Sequence, residues 1–201
     1  MLLLPGSRKG ELRRHLPAMR ETARLIHRQM RVRFRMVLPT QELQFMAQDL
    51  CRLNVWRELA EPEYKPEAHP GIRFSIGDLN QVLPQADLAI ASTGTVTLEC
   101  AFFGVPTVTL YKTSWGTYQI ARRIVKVPSL TMPNLLAGEP VYPEFIQDAA
   151  TPENLARAAL ELLNDPARRQ TIQSKLVKLV GTLGEPGACR RAAEAIVSLL
   201  K

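Results

Sequence analysis

No run in this sequence approaches the roughly 20 consecutive apolar residues that span a bilayer. The opening Met1-Leu2-Leu3-Leu4 is cut short by Pro5-Gly6 and is too brief for the core of a signal peptide. The expected location is therefore the cytoplasm. Cysteine is scarce: Cys51, Cys100 and Cys189 lie far apart and match no zinc spacing. Cys100, flanked by apolar residues, is expected as a buried small hydrophobe. His15, His27 and His69 have no carboxylate or cysteine at ligand spacing, so no metal is expected. Neither a Ser–His–Asp set nor a working carboxylate pair is legible. His15 and His27 read as surface histidines, with a general base as the alternative. Aromatic residues are only 6% of the chain and absent from residues 1–33, which disfavours a nucleic-acid surface.

The 46% apolar content of the 201 residues suits one well-packed domain and excludes a disordered chain. Charge is unevenly placed. Residues 1–35 carry ten basic side chains against Glu11 and Glu21, a local +8, so the remainder sums to about −1 within a total of +7. The basic character belongs to one element.

That element is a helix. Leu12, Leu16, Met19, Ala23, Ile26 and Met30 recur at steps of four and three and share one face, which predicts a helix from about Gly10 to Met30. It follows a strand at Met1–Leu4 and a turn at Pro5–Lys9. Further strands are expected at Phe34–Leu38, Ile72–Ser75, Asp87–Ala91 and Thr107–Tyr111. Helices are expected at Glu42–Leu53, at Asp78–Gln85 with Asp78 as N-cap, at Val96–Phe103 ended by Gly104, and at Gly116–Val125. Glu58–Pro70 reads as a surface loop and Pro128–Pro143 as irregular. The rest reads as helical: Thr151–Asn164 capped by Thr151, Pro166–Leu183 and Ala188–Leu200. Alternating strands and helices predict an α/β fold, a Rossmann-like parallel sheet with helices on both faces and a helical C-terminus. In such sheets ligands bind at the carboxyl ends of the strands: here Pro5–Lys9, Gly77, Ser92–Thr95 and the stretch after Tyr111.

Thr93-Gly94-Thr95 follows an apolar strand directly and opens a helix. Unpaired N–H groups and the helix dipole attract phosphate there; Gly94 admits the ligand and the hydroxyls add donors. The competing reading is simple capping by Ser92, Thr93 or Thr95. Glu99, one turn on, can accept both hydroxyls of a ribose, and the apolar residues around it suggest a buried acid in need of a partner. In Leu4-Pro5-Gly6-Ser7-Arg8-Lys9, Gly6 permits a tight turn, Ser7 can cap, and Arg8 can reach a diphosphate. It is neither a full dinucleotide fingerprint nor a P-loop. Pro133-Asn134-Leu135-Leu136-Ala137-Gly138 is a loop either folded over a ligand or packed on its own domain.

In order along the chain, Leu3–Glu11, Ala89–Cys100, Gly104-Val105-Pro106, Pro133–Gly138, Pro143–Gln147 and Thr151–Asn154 resemble the C-terminal half of the lipid-A-disaccharide synthase family, glycosyltransferases of two-domain GT-B architecture. The Pro-Asn-Leu-Leu-Ala-Gly block is the most specific. The resemblance implies one half of a GT-B fold across residues 1–201, acting as a UDP-dependent hexosyltransferase. The reaction moves 2,3-diacylglucosamine from UDP to 2,3-diacylglucosamine 1-phosphate. It implies that Gly6, Ser7, Arg8, Thr93, Gly94 and Thr95 hold the diphosphate, Glu99 the ribose, and Asn134 the far wall, with UDP-sugar as substrate and no cofactor. The N-terminal acceptor domain, with its catalytic base, is absent from this sequence, which implies a fragment, a misassigned start or one half of a split enzyme, the last with a separate N-terminal half as partner. The family works at the inner membrane, and the basic helix 11–31 is a candidate contact for anionic headgroups. The family usually has Ser-Gly-Thr where this chain has Thr93-Gly94-Thr95. The alternatives are a nucleotide-binding module without chemistry and another GT-B enzyme, such as a UDP-sugar epimerase.

Overall fold

The computed structural model describes residues 1–59, 71–124, 127–184 and 187–199. Six strands form one parallel sheet: β1 Leu2–Leu4, β2 Phe34–Leu38, β3 Ile72–Ile76, β4 Ala89–Ser92, β5 Thr107–Tyr111 and β6 Glu144–Ile146. Their order is β3-β2-β1-β4-β5-β6. The helices are α1 Lys9–His27, α2 Gln41–Leu59, α3 Leu79–Val82, α4 Thr95–Phe102, α5 Trp115–Ile124, α6 Met132–Ala137, α7 Pro152–Asn164, α8 Pro166–Gly181 and α9 Ala188–Ser198. The α/β reading of the sequence holds.

Side-chain alternation sorts the core into two layers. Leu3, Met36, Leu38, Ile90, Val108 and Leu110 point to one face and pack with α1, α2, α7 and α8. Leu2, Leu4, Val37, Ala89 and Ala91 point to the other, under Val82, Leu83 and Cys100. Burial on both faces is why the strands read as continuous apolar runs rather than alternating ones. Helix α1 runs through Pro17, its buried stripe from Leu12 to Ile26 outweighing the lost backbone bond. It ends three residues before the periodicity does, where the Gln29 and Met30 N–H groups both close on the Ile26 carbonyl.

Three expectations need correction. Pro128–Pro143 is not wholly irregular: α6 begins with Pro133 in its first turn, where a missing N–H costs nothing, and stops at Gly138 in a left-handed conformation. Strand β6 was not anticipated, since Glu144-Phe145-Ile146 is too short to show a period of two. Asp78 does sit at the N-cap of α3 but makes no side-chain capping bond. Residues 60–70 of the expected loop Glu58–Pro70 lie outside the described residues, as do Val125 and Leu200.

His15 is not a surface residue. It is fully buried. Its Nδ1 donates to the Pro5 carbonyl at 2.8 Å and its Nε2 accepts from the Lys112 N–H at 3.1 Å. This neutral ring ties the turn after β1 to the chain leaving β5. The Arg14 Nε adds a bond to the Lys112 carbonyl, and the Gln147 side chain meets both the N–H and the C=O of Thr113.

Burial, the largest influence, lowers the His15 pKa from its ordinary 6.5, against smaller raising contributions from the Pro5 bond and Glu11. Below pH 6.5 the unfolded chain therefore binds more protons at this site than the folded one. The stability supplied by neutral His15 is complete above that value and declines as pH falls through the lowered one. The difference in unfolding free energy between the wild type and His15→Gln should accordingly shrink between pH 7 and pH 5. Denaturant titrations check this, and a pH-independent difference would contradict it.

Candidate functional site

The turns after β1 and β4 meet on one cleft of about 510 Å³, with Gly6, Ser7, Arg8, Thr93, Gly94, Thr95 and Glu99 all in its lining. Strand order reverses between β1 and β4, so the chain leaves these neighbours towards opposite faces and opens a crevice at their carboxyl ends. The ends of β2 and β3 supply a further wall, including Pro39, Gly77 and Leu79. Gly77 was legible as a strand end; Pro39 and Leu79 carried no signal apart from their positions.

The two turns are finished differently. In the first, Gly6 has φ +118° and a Cβ there would lie 2.5 Å from Glu11 Oε2. Only glycine leaves room for that carboxylate, which accepts from the Ser7 N–H at 3.0 Å and pairs with Arg8 Nη1 at 3.4 Å. Glu11 is the residue that sequence reasoning passed over. Its signal was present in the spacing Ser7-x-x-x-Glu11, a carboxylate returning to a turn N–H one helical turn upstream. Glu11 thus occupies the anion position of its own turn, while the Arg8 side chain, 83% exposed, is held only loosely.

The second turn is open. The N-cap of α4 is Gly94, and no side chain caps it. Capping by Ser92, Thr93 or Thr95 is thereby set aside. Thr97 directs both its N–H and its hydroxyl at the Gly94 carbonyl, at 3.1 and 2.7 Å. The first N–H groups of α4 have no acceptor within the helix, and a side chain at Gly94 would meet no atom within 4 Å. Glu99 also differs from expectation: it is exposed in the cleft rather than buried, because Cys100 and Ala101 take the inward positions of α4. Burial pushes the Cys100 thiol up to about 12, as suits the inert small hydrophobe expected.

The sequence matches the family described as lipid-A-disaccharide synthetase over residues 1–198. The chain belongs to that family. It is 38% identical over 199 residues to the lipid-A-disaccharide synthase of Syntrophus aciditrophicus (strain SB), covering 99% of this chain and 49% of that protein. With the enzyme of Nitrosococcus oceani the figures are 36% over 199 residues, 99% and 48%. The chain spans about half the length of the curated relatives it matches. Among solved structures, WaaG, a glycosyltransferase involved in lipopolysaccharide biosynthesis, superposes with a TM-score of 0.50 at 16% identity, covering 87% of this chain and 40% of that one. S. aureus TarM, in complex with fondaparinux, alpha-GlcNAc-glycerol and UDP, gives 0.50 at 14%, covering 89% and 31%. These likenesses concern the fold, the α/β half of a GT-B glycosyltransferase.

In this member of the lipid-A-disaccharide synthetase family, the block Pro133–Gly138 does not join the cleft. Asn134 is buried and absent from the lining. Its Oδ1 accepts from the Val141 and Tyr142 N–H groups, at 2.9 and 2.8 Å. Its Nδ2 donates to the Tyr142 carbonyl and to Glu144 Oε1, both at 2.8 Å. All four hydrogen-bonding positions of the amide are filled. Glu144 further accepts from the N–H groups of Leu130 and Thr131 and from the Thr131 hydroxyl. The expected ligand contact is a polar knot joining α6 to β6. The basic helix is also more engaged than its sequence suggests: Glu21 chelates Arg24, and Glu42 pairs with Lys9.

Asn134→Ala should lower unfolding free energy by about 3 kcal/mol, the scale for several buried groups left unpaired, while leaving nucleotide affinity of the folded chain unchanged. Chemical denaturation and calorimetry separate the two. Gly6→Ala should cost about 1–3 kcal/mol from its positive φ alone, with a further loss from displacing Glu11.

Proposed function

We propose that this chain is the donor-binding half of a lipid-A-disaccharide synthase and holds UDP-2,3-diacylglucosamine for transfer to 2,3-diacylglucosamine 1-phosphate. The observation that carries the reading is the convergence of an open helix N-terminus, a loosely held arginine and an exposed glutamate on one cleft. The diphosphate sits at the first N–H groups of α4 and the hydroxyls of Thr93 and Thr95, with Arg8 swinging from Glu11 to a phosphate oxygen. Glu99 accepts from the ribose diol. As the sugar–phosphate bond breaks, negative charge grows on the β-phosphate of the departing UDP. Fixed N–H dipoles and Arg8 are already aimed at it, which is how such a site lowers the barrier without a cofactor. In this reading the acceptor site and the base that takes its hydroxyl proton lie on an N-terminal half outside these residues.

No helix among the described residues is long and apolar enough to cross a membrane. A peripheral position at the inner membrane, where acylated substrates lie, is part of the proposal.

Isothermal titration with UDP tests it. Arg8→Ala and Glu99→Gln should each weaken binding by about 1–2 kcal/mol, roughly five- to thirtyfold, the range for a charge-assisted hydrogen bond. An absence of uridine nucleotide binding, or unchanged affinity in both variants, would contradict the assignment.

A further inference from the structure

At the opposite, amino-terminal end of the strands lies a second groove of about 940 Å³, lined by Arg31, Arg33, Arg35 and Arg73 with one acid, Asp87. It is independent of the donor cleft. Arg35 of β2 and Arg73 of β3 are direct partners in the parallel register, so two guanidinium stems leave the same sheet face from strands about 4.8 Å apart. That face is the one whose apolar layer includes Leu2 and Val37, the sheet neighbour of Arg35 and the residue two positions on.

Like charges placed side by side on a sheet are destabilising, and the usual relief is a carboxylate. Among the described residues none of these four arginines makes an ion pair. His27 contributes a ring nitrogen, Nδ1, that is buried and has no hydrogen-bond partner. A row of cations side by side, with no carboxylate paired to it among the described residues, describes an anion site. Forked guanidinium donors select phosphate over a simple halide. The groove is large for inorganic phosphate and lies towards the upper end of ordinary ligand pockets. We propose that it binds the phosphate group of a larger phosphoester, carried either by a lipid headgroup or by a soluble ester.

The test uses this chain with inorganic phosphate as probe at constant ionic strength, followed by amide shifts in NMR spectra. Saturable shifts at residues 31–35 and 73 are expected. They should weaken at least about tenfold in the double variant Arg35→Gln/Arg73→Gln, the consequence of losing charge-assisted bonds. They should stay unchanged in Arg8→Ala, which separates this groove from the donor cleft. The double variant should melt no lower than the wild type, since it removes a repulsion; Arg31→Gln, at an exposed position, provides a second weakened variant. Phosphatidylglycerol vesicles that bind, are released by phosphate and fail to bind the double variant would identify a lipid headgroup as the source. Phosphate binding without vesicle binding would identify a soluble ester. No saturable shift in the groove, or equal shifts in wild type and double variant, would overturn the proposal.

Discussion

The pairing of β1 with β4 is the constraint from which the rest follows. Leu2, Leu3 and Leu4 lie parallel to Ala89, Ile90 and Ala91 at the centre of the sheet. Two parallel neighbours whose chains continue in opposite directions must leave a gap where their turns diverge. Both turns open helices, so the gap is bounded by helix N-termini, and its chemistry is anion binding before any particular side chain is considered. The apolar strands are short and buried on both faces, which fixes their register and hence the spacing of the turns.

What distinguishes the two turns is how each satisfies its own backbone. The first is closed internally: Gly6 makes room, and Glu11 supplies the carboxylate that its Ser7 N–H requires. The second is left unclosed, with Gly94 as N-cap and open space before it. Neither helix end has a side-chain cap, but a carboxylate fills the turn before α1 and none fills the turn before α4, which concentrates ligand attraction at the second. Around it the framework is stiffened by buried polar groups, His15 between two loops and Asn134 between α6 and β6. Each has all its hydrogen-bonding capacity used.

The parts legible in sequence were those with strong local physics. The stripe from Leu12 to Ile26, the apolar run ending at Ala91, and Gly104 after α4 each reported their structure directly. Strand β6 was hidden because three residues carry no period, and α6 because Pro133 reads equally as a breaker and as a helix start. Site residues on the two turns could be named from strand–turn–helix grammar. Glu11, by contrast, was counted only as a charge, since its role depends on the conformation of Gly6. Asn134 and His15 were misjudged for a common reason: a polar side chain's partners, three backbone groups and a carboxylate for one and two loops for the other, lie at sequence separations where pattern gives no guidance. Glu99 erred the opposite way. Its apolar neighbours suggested burial, yet the helix turns them inward and Glu99 out.

The family relation adds the reason for an open second turn. The chain spans about half the length of the relatives it matches, and in the proposed function an unclosed anion position is the wall it offers a nucleotide diphosphate. A crystal structure of this chain with UDP tests that claim most directly. The account predicts the β-phosphate within hydrogen-bond distance of the Thr95 and Val96 N–H groups, with Arg8 released from Glu11 and Glu99 on the ribose hydroxyls. A diphosphate bound elsewhere, with the N-terminus of α4 still solvated, would contradict it.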